Sequence, residues 1–328
     1  MARTRGRLLL AGLVAAMSIS LTVAASASGG ATPLRGAAAS GPCGTLTGTP
    51  RYQHVVVIMD ENVGYSTLIK SSQARYLHTL AEQCGSELSM HAATHPSQTD
   101  YMAATSGYAT GVGVHTTNDN VFHQVQVHGD TWRAYEESAP RPCSPNSGVY
   151  QSGHNPPFWY TDLKTPTNTC KRYDVALKPA LDDTIANDTL PTLAWITPNA
   201  CNDMHWLASC PHAKSQRIAD GDDWLAQLVP QLTAMSSYQA GQTLIFVTWD
   251  EGDGKEINGS ACTAPAVYRA QPSCHIPTYV VSPYVSPGAK DGADHNLYGL
   301  LGDLEDILGY PRLGHAVDQV SLRPGLGF

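Results

Sequence analysis

His54-Val-Val-Val-Ile-Met59 runs straight into Asp60-Glu61-Asn62, and Thr243-Leu-Ile-Phe-Val-Thr248 runs in the same way into Trp249-Asp250-Glu251-Gly252. Short β-branched runs of this kind predict strands buried on both faces, which occur mainly in parallel α/β sheets. Ligands of such sheets bind beyond the carboxyl ends of the strands. Two distant strands that each carry an acidic tip to that edge predict one shared polar site, most simply for a divalent cation. Read singly, each tip is only a turn rich in acids and Gly.

Outward from these runs, strand and helix alternate. Tyr65 to Gln83 has helical spacing with Leu68, Tyr76, Leu77 and Leu80 on one side, and Leu88 to Ala92 reads as a short strand. His95-Pro96-Ser97 opens a further helix that Gly107 ends, and one helix is predicted around Asp130 to Ser138. Leu193 to Thr197 and Thr278 to Ser282 read as strands, Ile218 to Leu232 as an amphipathic helix, and the last helix runs from near Asp294-His295-Asn296 to Gly309. The alternation predicts an α/β fold, a mostly parallel central sheet flanked by helices on both faces. On that plan the tips after Met59, Thr197, Thr248 and Ser282 share one edge.

Arg3, Arg5 and Arg7 precede the apolar stretch Leu8 to Ala25, and Ala25-Ser26-Ala27 offers small residues for cleavage, so residues 1–27 read as a signal peptide and the protein as secreted. Residues 28–41 are Ala-, Gly- and Ser-rich and read as a flexible lead-in; residues 42–328 read as one domain. No later stretch is long and apolar enough to span a bilayer. The formal charge of −8 becomes −11 once the three leader arginines are removed, and there is no basic stripe, so nucleic acid is not an expected partner. Eight cysteines in an exported chain predict four disulfides, paired by proximity as Cys43–Cys84, Cys143–Cys170, Cys201–Cys210 and Cys262–Cys274. A zinc site from Cys201, His205, Cys210 and His212 is the competing reading, disfavoured by its irregular spacing.

Ser97 stands near a helix amino end, where free N–H groups favour an anion; the bland reading is a helix cap. Beside a cation its hydroxyl becomes a nucleophile for phosphoryl transfer. His205 and His295 each follow a predicted strand, beside Asp203 and Asp294, and either can donate a proton or hold a phosphate oxygen. Asp253 and the Asp220-Gly221-Asp222-Asp223 cluster read as loop and helix-start charges. There is no Gly-x-Ser-x-Gly elbow, dinucleotide fingerprint or P-loop.

Taken in order, Glu61-Asn62-x-x-Tyr65, His95-Pro96-Ser97-x-x-x-Tyr101, His154-Asn155-Pro156 with Phe158, Ile196-Thr197-Pro198-Asn199 into Asn202-Asp203-Met204-His205, Gly221-Asp222-x-Trp224-Leu225, Thr248-Trp249-Asp250-Glu251-Gly252 and His295 with Leu308-Gly309-Tyr310 resemble one family. It is the bacterial phosphoesterase group of acid phosphatases and phosphatidylcholine-type phospholipases C, with an alkaline-phosphatase-like fold. The resemblance implies that Glu61, Asn62, Asp250 and Glu251 bind one divalent ion (Ca, Mg, Mn or Fe) and that Ser97 is the nucleophile of a phosphoenzyme. It further implies that His205 and His295 hold phosphate and donate protons, with Asp203 as partner, and that His154 neighbours the substrate, a phosphate ester with phospholipid among the candidates. The chain departs from the family at Thr99-Asp100, Ser66 and Asp294. These departures bear on pocket charge and leaving group. The rival readings are a sulfatase or phosphonate hydrolase of the same superfamily, and a non-catalytic secreted binding protein on a degenerate hydrolase scaffold.

Overall fold

The strands predicted from the two apolar runs lie side by side at the centre of a nine-stranded sheet. In the computed structural model, which describes residues 41–166, 168–253 and 261–328, they are β1 (His54–Asp60) and β6 (Thr243–Trp249). The other strands are β2 (Gly85–His91), β3 (Trp132–Glu136), β4 (Asp174–Ala176), β5 (Leu193–Thr197), β7 (His275–Val281), β8 (Lys290–Asp291) and β9 (His295–Asn296). The order across the sheet is β4-β3-β5-β1-β6-β7-β2-β8, with β9 also paired to β2. Every residue of β5 and β6 is buried, and of β1 all but His54, whichever way its side chain points. The centre of the sheet is therefore covered on both faces, as the β-branched runs require.

Register places the chemistry. β1 and β6 are parallel with Met59 opposite Thr248 and Asp60 opposite Trp249, so Glu61-Asn62 and Asp250-Glu251 leave the sheet next to each other. β5 is parallel on the other side of β1, and its continuation returns to the same tip, where the Glu61 N–H donates to the Asp203 carbonyl at 2.8 Å.

β7 departs from the sequence expectation. It is antiparallel to both β6 and β2, so its start at His275 lies at the acidic edge and Ser282 lies at the opposite one. There Ser282 bonds the Tyr52 hydroxyl at 2.7 Å, ahead of β1. The described residues between β6 and β7 contain no long crossover helix, and an antiparallel return needs none. β2 runs parallel to β6 and delivers Ser97 to the site edge.

Among the described residues, the α-helices longer than a single turn are α1 (Arg75–Gln83), α2 (Ser97–Ser106), α3 (Val121–Val127), α4 (Leu177–Ala186), α5 (Lys214–Thr233) and α6 (Leu297–Leu308). Gly107 and Gly309 end α2 and α6 in the left-handed conformation, and the Asn296 side chain caps α6. Two expectations fail. Residues 132–136 form strand β3, because pairing on β5 and β4 outweighs local helical spacing. The helix expected from Tyr65 to Gln83 is a single turn at Tyr65–Leu68 followed by α1.

The acids between 220 and 223 lie within α5, not at its start. Ala74 cannot cap α1, and the buried Asp222 does so from a distance, accepting the Tyr76 and Leu77 N–H groups at 2.8 and 2.9 Å. Asp222→Ala is expected to cost about 2 kcal/mol in urea unfolding, the loss of a charged cap on two otherwise unpaired donors. Gly221 beside it lets α5 close on the loop after β5, since a Cβ there would fall 2.5 Å from Met204 Cγ.

All four disulfides form as paired by proximity. The Cys201–Cys210 bridge removes the zinc reading. The leader at 1–27 and, except for Gly41, the lead-in at 28–41 lie outside the described residues. No described helix is long and apolar enough to cross a membrane.

Candidate active site

Glu61 and Asn62 turn sharply off the end of β1, with Asn62 at φ 40°, a left-handed conformation that Asn tolerates better than most residues. The Asn62 N–H donates to Asp250 Oδ1 at 3.2 Å and its side-chain amide to Glu251 Oε1 at 2.7 Å, so the two tips are cross-linked. Gly252 permits this approach: a Cβ there would lie 2.7 Å from the Pro272 carbonyl and 3.0 Å from Gly64 Cα. Asp253 completes the junction by accepting the Gly64 N–H at 2.7 Å, and pairs with Lys214.

Ser97 is the first residue of α2 and does not cap it. Its hydroxyl donates to Glu61 Oε2 at 2.8 Å and sits 3.4 Å from Glu251 Oε1. Four of the expected metal ligands and the expected nucleophile thus share one cluster. Asp203 and His205 join it from the loop after β5: Asp203 accepts the His205 N–H at 2.8 Å, and the His205 ring lies against the Asn62 amide oxygen and 3.5 Å from Glu61 Oε2. His154 is wedged between Glu61 (3.3 Å) and Asp203 (3.5 Å), its ring parallel to that of Tyr101. His295 is not brought to this cluster. Its ring pairs with Asp291 and Glu87 instead.

Two further residues belong to the site and were not singled out from sequence as site residues. The buried His95 ring bonds Glu251 through Nδ1 and approaches the Ser273 hydroxyl at 3.2 Å through Nε2. Asp100, also buried, accepts the Ala93 and Thr94 N–H groups and shapes the turn into Ser97. Ligand atoms of His95, Asp100 and Glu251 lie within 4.8 Å of one another. The signal was adjacency: both residues fall within a turn of Ser97 in the motif already recognised.

Electrostatics follow from burial. Burial and then Glu61 and Glu251 push the Asp250 carboxyl well above the usual carboxylate range, and burial and Glu251 do the same to Asp100. Asp60 is raised by burial and by Asp203 and Glu61. Burial also works to raise Glu61, but His154 and His205 outweigh it and hold Glu61 low. The same attractions overcome burial in the imidazoles and raise both His154 and His205. Among the described residues no Lys or Arg pairs with Asp60, Glu61, Asp100, Asp203, Asp250 or Glu251, and Asp250 Oδ2 has no hydrogen-bond partner. A buried set of carboxylate, amide and hydroxyl oxygens with surplus negative charge fits a divalent cation. A groove of about 590 Å³ runs past Cys201, Asn202 and Trp224 and is lined by none of these ligands.

A family model described as the phosphoesterase family matches residues 68–309. The chain belongs to the phosphoesterase family. As a member it is a hydrolase acting on phosphoric ester bonds. It is 28% identical to a phosphatidylinositol-3-phosphatase of Mycobacterium tuberculosis, over 88% of this chain and 85% of that protein. It is 26% identical to an acid phosphatase of Aspergillus fumigatus over 77% of this chain, and spans 54% of that longer relative. Among solved structures it is similar to an alkaline phosphatase superfamily protein from Vibrio parahaemolyticus (TM-score 0.55, 12% identity, 86% of this chain and 73% of that one). A phosphonate monoester hydrolase from Silicibacter pomeroyi is also similar (TM-score 0.52, 14% identity, 84% and 76%). At such identities the structural likeness shows the fold alone, a mixed α/β sheet flanked by helices.

Proposed function

We propose that the protein is a secreted, metal-dependent phosphomonoesterase that works through a phosphoserine at Ser97. The observation that carries this reading is the Ser97 hydroxyl, 2.8 Å from Glu61 inside a buried cluster of oxygen donors at a helix amino end. The leader-like sequence and four disulfides support export. Glu61, Asn62, Asp250 and Glu251 would hold the ion, with Ca, Mg, Mn and Fe all compatible with oxygen donors. Such an ion supplies charge neutralisation at the phosphate and a lowered hydroxyl pKa.

The chain's own residues supply the rest. Glu61, kept ionised by His154 and His205, accepts the Ser97 proton as Oγ attacks phosphorus in line and the ester P–O bond breaks. The amino end of α2 favours the phosphoryl oxygens. His205 is the more exposed imidazole, with a side chain 31% accessible against 10% for His154, and the Glu61 and Asp203 carboxylates beside it favour the protonated ring that donates to the departing alcohol. Asp203 fixes the His205 backbone, and His154 holds Glu61 from behind. Water then attacks the phosphoserine and gives its proton to His205, while Glu61 returns the proton to Ser97. His295, held by Glu87 and Asp291, has no part in these steps.

The test is a panel of aryl phosphate, phosphatidylinositol 3-phosphate, phosphodiesters, phosphatidylcholine and aryl sulfate, each with and without chelator. Monoester turnover that falls at least about 100-fold on chelation and returns with added metal is expected. Turnover indifferent to chelator would remove the metal, preference for phosphatidylcholine would make the enzyme a phospholipase C, and silence on every substrate would favour a binding role.

A further inference from the structure

We propose that Glu87, Asp291 and His295 form a second divalent-metal site, for a transition ion such as zinc or manganese, which pins the segment 290–296 to strand β2. The site is separate from the Ser97 cluster and does not rest on the function proposed for it.

The residues converge from three strands at one side of the sheet. Glu87 is on β2; β8, carrying Asp291, pairs with it in parallel, and β9, carrying His295, pairs with it three residues further on. His295 Nε2 lies 3.2 Å from Asp291 Oδ2 and 3.8 Å from Glu87 Oε2, and one ligand atom from each residue falls within 4.8 Å of the others. Ligands bound tetrahedrally at about 2.0–2.2 Å sit about 3.3–3.6 Å apart, close to the two spacings from the imidazole. One imidazole with two carboxylates suits zinc or manganese better than calcium, which prefers oxygen alone.

The second observation is Glu87 itself. Its side chain is wholly buried, and neither carboxylate oxygen has a hydrogen-bond partner among the described residues. A carboxylate left unpaired in a dry interior costs several kcal/mol, by order of magnitude, unless a cation or a proton satisfies it. Asp291, whose side chain is 13% accessible, brings a second acid to the same place, and His295 is the sole ion-pair partner of either among the described residues. The C-terminal segment closes over the rim: a Cβ on Gly325 would fall 1.8 Å from Asp291 Oδ2. Protons on the acids are the competing explanation.

The two explanations part in a metal-binding experiment on the purified protein. After chelation and removal of chelator, the protein is given excess Zn²⁺ alone or Mn²⁺ alone, desalted, and its bound metal and Tm measured. In an Asp250→Asn background, which disables the first cluster, one equivalent is expected to remain and to raise Tm, with Ca²⁺ giving no such rise. Adding Asp291→Asn at the accessible rim should abolish both effects; if that double variant does not fold, Glu87→Gln in the same background replaces it. Less than 0.1 equivalent in Asp250→Asn, or one equivalent that survives the second substitution, would overturn the site and leave protons as the neutralising charge. Failure of the Ser97 chemistry would leave this outcome unchanged, because the count is made where the first cluster is disabled.

Discussion

Ser97→Ala is expected to lower kcat on p-nitrophenyl phosphate by at least about 10⁴-fold, since it removes the atom to which phosphorus is transferred. The protein should still fold. Ser97 is only half-buried, and its hydroxyl donates to the carboxylates of the cluster, Glu61 foremost, so the expected stability change is within about 1 kcal/mol. Acid quenching of wild type during turnover of labelled substrate should trap phosphate on serine, and the variant should trap none. Residual activity within tenfold of wild type, or equal label on the variant, would move the nucleophile elsewhere. Because Glu61, Asn62, Asp250 and Glu251 all remain, metal content should be preserved, which separates loss of the nucleophile from loss of the ion.

Much of this arrangement is readable in the chain before any coordinates. Three β-branched runs gave three central strands because burial on both faces leaves one composition, and in a parallel sheet the residue after each strand is at the binding edge by topology. That rule alone brings Glu61, Asn62, Asp250 and Glu251 together; Asp203 is returned to the same tip by the loop after β5. Direction was less visible: a strand reads alike both ways, so β7 was placed at the wrong end and Ser282 with it. β3 was read as a helix because Trp132, Ala134 and Tyr135 fit either period over so short a run, and only β5 and β4 decide between them. The family resemblance implied that His295 would hold phosphate in the catalytic cluster; the pairing of β9 with β2 takes it to Glu87 and Asp291 instead. Asp222 was read as a first-turn charge because its partner, the uncapped α1, lies 145 residues away.

Asp250→Asn is expected to abolish activity while stabilising the metal-free protein, two effects that a simple loss of packing would not combine. The buried Asp250 carboxyl has one oxygen on the Asn62 N–H and the other without a hydrogen-bond partner among the described residues, and burial with Glu61 and Glu251 raises its pKa well above the ordinary value. Without metal, folding therefore favours the protonated form. The corresponding stability is full below the unfolded carboxylate range near pH 4 and is lost as pH rises through the folded titration. Asparagine keeps the acceptor for Asn62 and carries no charge, so the chelated variant should gain about 1–2 kcal/mol over chelated wild type at pH 8 and show a flatter profile from pH 4 upward. Added metal should reverse the order, because wild type then gains about 2.7 kcal/mol at a metal concentration 100 times Kd and the variant gains far less from this cluster. Urea unfolding at pH 5 and pH 8, with and without chelator, reads all four arms. A variant that is less stable than wild type in chelator at pH 8 and still hydrolyses phosphomonoesters would remove Asp250 from the metal site and with it the electrostatic reason for placing one there.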